Sequence, residues 1–135
     1  MAVNIVKQYS VFLVNEPGSL KNFSKALMDN KADIIAMSQD VRYDAAVVRL
    51  ALRAEDDVSH ALTKAGFTSV KTDAICLDLP NRVGLMYDIG RILSENNINI
   101  TTIYGTAIGE QTRWILVVSD IPKALNLLEN DRLFC

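Results

Sequence analysis

Leu79-Pro80-Asn81-Arg82-Val83-Gly84-Leu85-Met86-Tyr87-Asp88-Ile89-Gly90-Arg91-Ile92-Leu93 decides the fold. The apolar run Ala74 to Leu79 reads as a strand, and the loop after it holds one glycine before a helix begins. Leu85, Ile89, Ile92 and Leu93 recur at the 3.6-residue period of an amphipathic helix. A strand, a glycine loop and a helix N-terminus in succession leave backbone N–H groups unpaired. Such a join can hold a small anion.

The same unit occurs earlier, as Leu13-Val14-Asn15-Glu16-Pro17-Gly18-Ser19-Leu20. Gly18 and Gly84 are 66 positions apart. That offset, without a gap, also pairs Asn15 with Asn81, Leu27 with Leu93, Asn30 with Asn96, Ile34 with Ile100, Leu50 with Leu116 and Leu62 with Leu128. A period this long makes each copy a small domain rather than a turn of a solenoid. We therefore divide the chain into 1–72 and 73–135.

Each copy is read in the order βαββαβ. Strands are expected over Gln8–Asn15, Asp33–Asp40, Ala45–Arg53 and Phe67–Thr72, with helices over Ser19–Asn30 and from Glu55 to about Ala65. The second copy has strands over Ala74–Leu79, Ile98–Ile108 and Arg113–Ser119, and helices over Leu85–Asn96 and Ile121–Glu129. Arg132–Cys135 suffices only for a stub of its last strand. This order gives an antiparallel four-stranded sheet with two helices on one face, an α+β architecture. With Val11, Leu13, Val48 and Leu50 toward the helices, alternation sends Phe12, Val14, Met37, Val47 and Ala51 to the other face. Ile103, Ile115 and Val117 follow in the second copy, with Arg49, Asp78 and Arg113 among them. So apolar a face is expected to be covered, most simply by a second copy of the chain.

Composition narrows the function. Half of the 135 residues are apolar and the net charge is −2, so no basic stripe points to nucleic acid. The face away from the helices carries Phe12 but not the stacked aromatics of RNA-binding sheets. The two cysteines, Cys76 and Cys135, form neither metal spacing nor a disulfide framework. No stretch approaches a membrane helix and the N-terminus lacks a signal-peptide pattern, so a cytoplasmic location is expected. His60, the sole histidine, sits mid-helix among Val58, Ala61 and Leu62 and reads as a boundary residue. No paired carboxylates, Cys/His pair or metal set converges, so neither an enzyme nor a cofactor is expected.

Two copies of strand, Asn-x-x-Gly and an apolar helix, the second entering its next strand through Asn97-Ile98-Asn99-Ile100, resemble the ACT domain. This is a small ligand-binding module attached to many enzymes of amino-acid metabolism. The first copy is followed by Lys31-Ala32-Asp33-Ile34, further from the pattern. The resemblance implies ferredoxin-like halves joined side by side in one eight-stranded sheet, and a stand-alone regulatory protein. It also implies amino-acid sites at that join. One site would use Asn15, Glu16, Pro17, Gly18, Ser19 and Leu20 with Asn99, Ile100 and Thr101. The other would use Asn81, Arg82, Val83, Gly84, Leu85 and Met86 with Asp33, Ile34 and Ile35. Val83 stands where a proline is common in the family and Asp33 where an asparagine is, so the two sites are not equivalent.

The chemistry fits a zwitterion. Backbone N–H groups after Gly18 or Gly84 suit a carboxylate, Glu16 an ammonium, and Arg82 a further carboxylate contact. Asn15 and Asn81 offer both donor and acceptor, as ligand contacts or as helix caps. Tyr104 is open between core and pocket wall; Trp114, at the repeat position of Val48, reads as core. The expected partners are a small amino acid, a second copy of the chain and an enzyme of amino-acid or acid metabolism. The alternative is a ligand-free scaffold that mediates assembly.

Overall fold

The structure, a computed structural model, describes residues 2–131. The elements are β1 (Ala2–Val14), α1 (Ser19–Asp29), β2 (Ile34–Arg42), β3 (Ala45–Arg53), α2 (Ser59–Lys64) and β4 (Thr68–Pro80). They continue with α3 (Leu85–Glu95), β5 (Ile100–Ile108), β6 (Gln111–Val118) and α4 (Ile121–Asn130). Two compact units divide them: Val6–Thr72, and residues 2–5 with 73–131. The fold is α+β, with two ferredoxin-like units and antiparallel strands.

In the unit Val6–Thr72 the strand order is β2-β3-β1-β4; in the other it is β1-β4-β6-β5. β1 and β4, at 13 residues each, serve both units. This corrects the expectation of eight strands. Phe67–Thr72 and Ala74–Leu79 run on as the single strand β4, because nothing in Lys71-Thr72-Asp73 breaks an extended backbone. In the C-terminal unit, β4 has the N-terminal end of β1 as its neighbour, and Val3 packs on that unit's core. The stub expected at Arg132–Cys135 lies outside the described residues.

Each unit has its own core. Tyr9, Val11, Leu13, Val48, Leu50 and Leu52 close on Phe23, Leu27 and Leu62 in the first. Phe23 and Phe67 meet edge to face at 5.5 Å, a favoured aromatic geometry. Ile75, Leu77, Leu79, Leu116 and Val118 close on Leu85, Ile89, Ile92, Leu93, Ala124 and Leu128 in the second. The apolar pairs aligned by the repeat, Leu27 with Leu93, Leu50 with Leu116 and Leu62 with Leu128, are all buried. Each contributes roughly 1.5–3 kcal/mol by leaving water.

Two residues face opposite to the alternation reading. Met37 lies opposite Leu50 and Ile103 opposite Leu116, both on the helix side. The register slips by one at Ile35 in β2 and at Thr101 in β5. One extra residue reverses the parity of every side chain after it. On the face away from the helices, Phe12 is 49% and Val14 62% exposed, whereas Ala51 and Ile115 are fully buried.

Helix ends follow local chemistry. The α1 and α3 C-caps are Asn30 and Asn96, whose side-chain amides donate to Ala26 O and Ile92 O, each at 2.8 Å. Lys31 and Asn97 then turn left-handed. Helix α2 starts later than Glu55, because the Asp57 carboxylate accepts from Ser59 N–H at 3.0 Å. The buried Tyr9 hydroxyl donates to Asp57 at 3.3 Å and accepts from Val58 N–H at 3.3 Å, fixing that start to β1.

Candidate functional site: the glycine loops

Both strand-to-helix loops end in a left-handed glycine at the helix N-cap. Gly18 has φ 90° and Gly84 φ 87°, a conformation that costs a residue with a Cβ roughly 1–2 kcal/mol. Neither helix has a side-chain cap, so Asn15 and Asn81 are not N-caps. The first intrahelical bonds are Asn22 N–H to Gly18 O and Asp88 N–H to Gly84 O, both 3.0 Å. The N–H groups of Leu20 and Lys21, and of Met86 and Tyr87, precede those bonds and have no intrahelical acceptor.

The two asparagines do something sequence reasoning missed: each ties its loop to the hairpin turn of its own unit. Asn15 N–H donates to Asp44 O at 2.8 Å, and its side-chain amide to Tyr43 O at 3.5 Å. Asn81 N–H donates to Glu110 O at 2.8 Å, and its amide to Gly109 O at 3.4 Å. Tyr43 and Gly109 both have positive φ. The turns keep the 66-residue offset, which was the available signal.

Asn15, Glu16, Pro17, Gly18 and Leu20 are exposed and Ser19 half-buried in the unit Val6–Thr72. Ile34 and Ile35 open β2 in that unit, Ile35 at the register slip. In the C-terminal unit Asn81, Arg82, Val83, Gly84 and Met86 are exposed. Leu85 has its side chain in the core, leaving only backbone to the site. Asn99 N–H donates to Ser119 Oγ at 3.0 Å, and Thr101 Oγ1 donates to Val117 O at 3.0 Å. Ile100 packs partly on the core.

The loops differ in charge. Arg82 Nη2 lies 2.7 Å from the Asp88 carboxylate, in the first turn of α3. The first turn of α1 has no acid; Asn22 holds the position of Asp88, and exposed Glu16 that of Arg82.

Other polar groups lie away from the loops. Asp78 and Arg113 pair through two bonds, 2.7 and 3.0 Å, on the β4–β6 face away from the helices. The hydrogen bond to Asp78 raises the Arg113 pKa. Burial, with the Asp78 charge beside it, pushes the Cys76 thiol up to about 11, so it stays protonated. Asp57 is lowered to about 2, chiefly by the Ser59 backbone N–H, with Lys71 adding to it. One open groove of ≈ 470 Å³ lies between α1 and α2, walled by Ala26, Ala61 and Ala65 and rimmed by Asp29, Asp57, His60 and Lys64. Another, of ≈ 410 Å³, borders Asp78, Thr106, Ile108 and Arg113. Neither includes a glycine-loop residue. Among the described residues no His/Cys/Asp/Glu group is placed to hold a metal ion, and no helix is long and apolar enough to cross a membrane.

Duplicated ferredoxin-like units with glycine-capped strand–helix joins define a class of paired α+β modules. The chain belongs to the ACT domain pair family, whose model matches residues 4–133. No curated protein sequence matches it. Among solved structures, a Bacteroides thetaiotaomicron protein is 23% identical with TM-score 0.83, covering 94% of this chain and 88% of that one. The ligand-free regulatory subunit of aspartate kinase from Thermus thermophilus is 13% identical, with TM-score 0.67 and 94% of each chain covered. Its counterpart from Thermus flavus is 16% identical, with TM-score 0.61 and 94% of each covered. At these identities the likeness is one of fold. The family's modules are of a regulatory, non-catalytic type.

Proposed function

We propose that the protein is an amino-acid sensor that regulates an enzyme of amino-acid or acid metabolism, or its own assembly. The observation that carries this reading is the pair of left-handed glycines at uncapped helix N-termini. A ligand carboxylate takes the N–H groups of Leu20 and Lys21, or of Met86 and Tyr87, where the helix dipole favours negative charge; those of Ser19 and Leu85 already donate to Glu16 O and Arg82 O. At the first loop Glu16 takes the ammonium. The regulatory subunits of aspartate kinase with the same fold support the regulatory side of the reading. Binding acts by differential affinity between conformations or assembly states.

The experiment is a thermal-shift screen of the twenty amino acids, one at a time, at millimolar concentration. A ligand at 100 times its Kd adds about 2.7 kcal/mol to the native state. One or two hits of related shape support the sensor. A flat screen refutes it and leaves an assembly scaffold. We further propose that the chain forms a homodimer through the exposed apolar positions Phe12 and Val14. The Phe12→Glu/Val14→Glu double variant then sediments as a monomer; an unchanged sedimentation coefficient refutes this.

A further inference from the structure

The two loops repeat each other in backbone but differ in what covers the glycine. A Cβ built on Gly18 meets nothing within 4 Å. One built on Gly84 meets the Arg82 guanidinium at 4.0 Å. Arg82 is held in that position by Asp88, at 2.7 Å, with the Asp88 side chain only 19% exposed. Asp88 also has Arg91 at 3.9 Å, so its charge is engaged from two sides. The guanidinium therefore stands beside the glycine, within van der Waals reach of its open side, and a carboxylate sits in the first turn of α3, where a ligand's carboxylate would otherwise be favoured.

We propose that this ion pair is a built-in latch: the Gly84 loop is closed by its own Arg82 and Asp88, and the chain takes an amino acid only at the Gly18 loop. The proposal rests on the amino-acid reading above and specifies which of its two loops is used. For a carboxylate to enter at Gly84, Arg82 must leave Asp88. Asp88, little exposed, would then stay beside the incoming negative charge with only the longer 3.9 Å contact to Arg91. The first loop carries neither obstacle. Asn22 is neutral where Asp88 is charged, and Glu16 replaces the covering arginine with a group that attracts the ammonium.

The test is an amide NMR titration of the full chain with each of the twenty amino acids, using glycine itself as the minimal zwitterion. The reporters are the N–H signals of Leu20 and Lys21 for one loop, and of Met86 and Tyr87 for the other. In the unmodified protein, saturable shifts are expected at Leu20 and Lys21 alone. The Arg82→Ala/Asp88→Asn variant removes the cover and the charge, and is expected to add saturable shifts at Met86 and Tyr87. Melting of that variant within a few degrees of the parent shows that both units remain folded. Saturable shifts at Met86 and Tyr87 in the unmodified protein overturn the latch. So does a folded double variant whose second loop stays silent while the first responds. Silence at both loops with all twenty amino acids overturns the amino-acid reading itself, and the latch with it.

Discussion

Gly105 offers a test in which one chemical change has opposite signs at two positions. It sits in β5 opposite Trp114, whose ring lies against it. A Cβ at Gly105 would meet Trp114 Cε3 at 2.5 Å, and Cδ2 and the Arg113 carbonyl oxygen at 2.8 Å. Ordinary carbon contacts are about 3.5–4.0 Å, so the indole must retreat by roughly 1 Å. It has little room, because it packs on the core beneath α3 and α4. Its buried Nε1 finds no acceptor among the described residues, so no hydrogen bond resists the shift; the resistance is packing. Overpacking of this kind costs about 1–3 kcal/mol. Gly105→Ala should therefore raise the unfolding equilibrium constant roughly 5- to 160-fold. Gly90, inside α3, has nothing within 4 Å of a built Cβ. Gly90→Ala should stabilise by about 0.5–1 kcal/mol, because alanine loses less backbone freedom on folding. Urea titration followed by emission of Trp114, the sole tryptophan, reads both. Trp114→Val, which copies the repeat's Val48, should remove the indole's share of the Gly105→Ala penalty, leaving that of the Arg113 carbonyl, in a double-mutant cycle followed by far-UV circular dichroism. Equal stability of Gly105→Ala and the parent within about 0.5 kcal/mol would refute the packing argument.

Deleting residues 1–5 removes Val3 and the end of β1 from the C-terminal unit. Hydrogen exchange should speed up at Ala74–Leu79 more than at Val11–Val14; a uniform change would refute the strand assignment. Asp57 has a folded pKa lowered to about 2, below its unfolded value near 4. Its stabilising effect is present above pH 4 and lost as pH falls toward 2. Asp57→Asn should thus be less stable than the parent at pH 6, with the gap closing by pH 2; a gap unchanged over that window would count against the assignment. In a Cys135→Ser background, Cys76 should resist a disulfide reagent at pH 8 while folded and react in urea, because it is buried and its pKa lies near 11. Fast labelling of the folded protein would contradict that environment.

The sequence by itself determined the repeat, and with it the fold class. Helix and strand periods are local properties of the chain, and a 66-residue offset that superposes Leu27 on Leu93 and Leu50 on Leu116 constrains two cores at once. The glycine loops were legible for the same reason, since left-handed backbone selects glycine wherever it occurs. Tertiary structure alone decided the rest. The slips at Ile35 and Thr101 leave no mark in composition, yet they place Met37 and Ile103 on the helix side, because register is set by the partner strand. Membership of residues 2–5 in the C-terminal unit depends on a strand neighbour some 70 residues away. From sequence, Arg82 was a candidate contact for a ligand carboxylate. Its pairing with Asp88 arises because the turn at Gly84 folds the chain back over the first turn of α3, and that geometry distinguishes two loops that look alike in sequence.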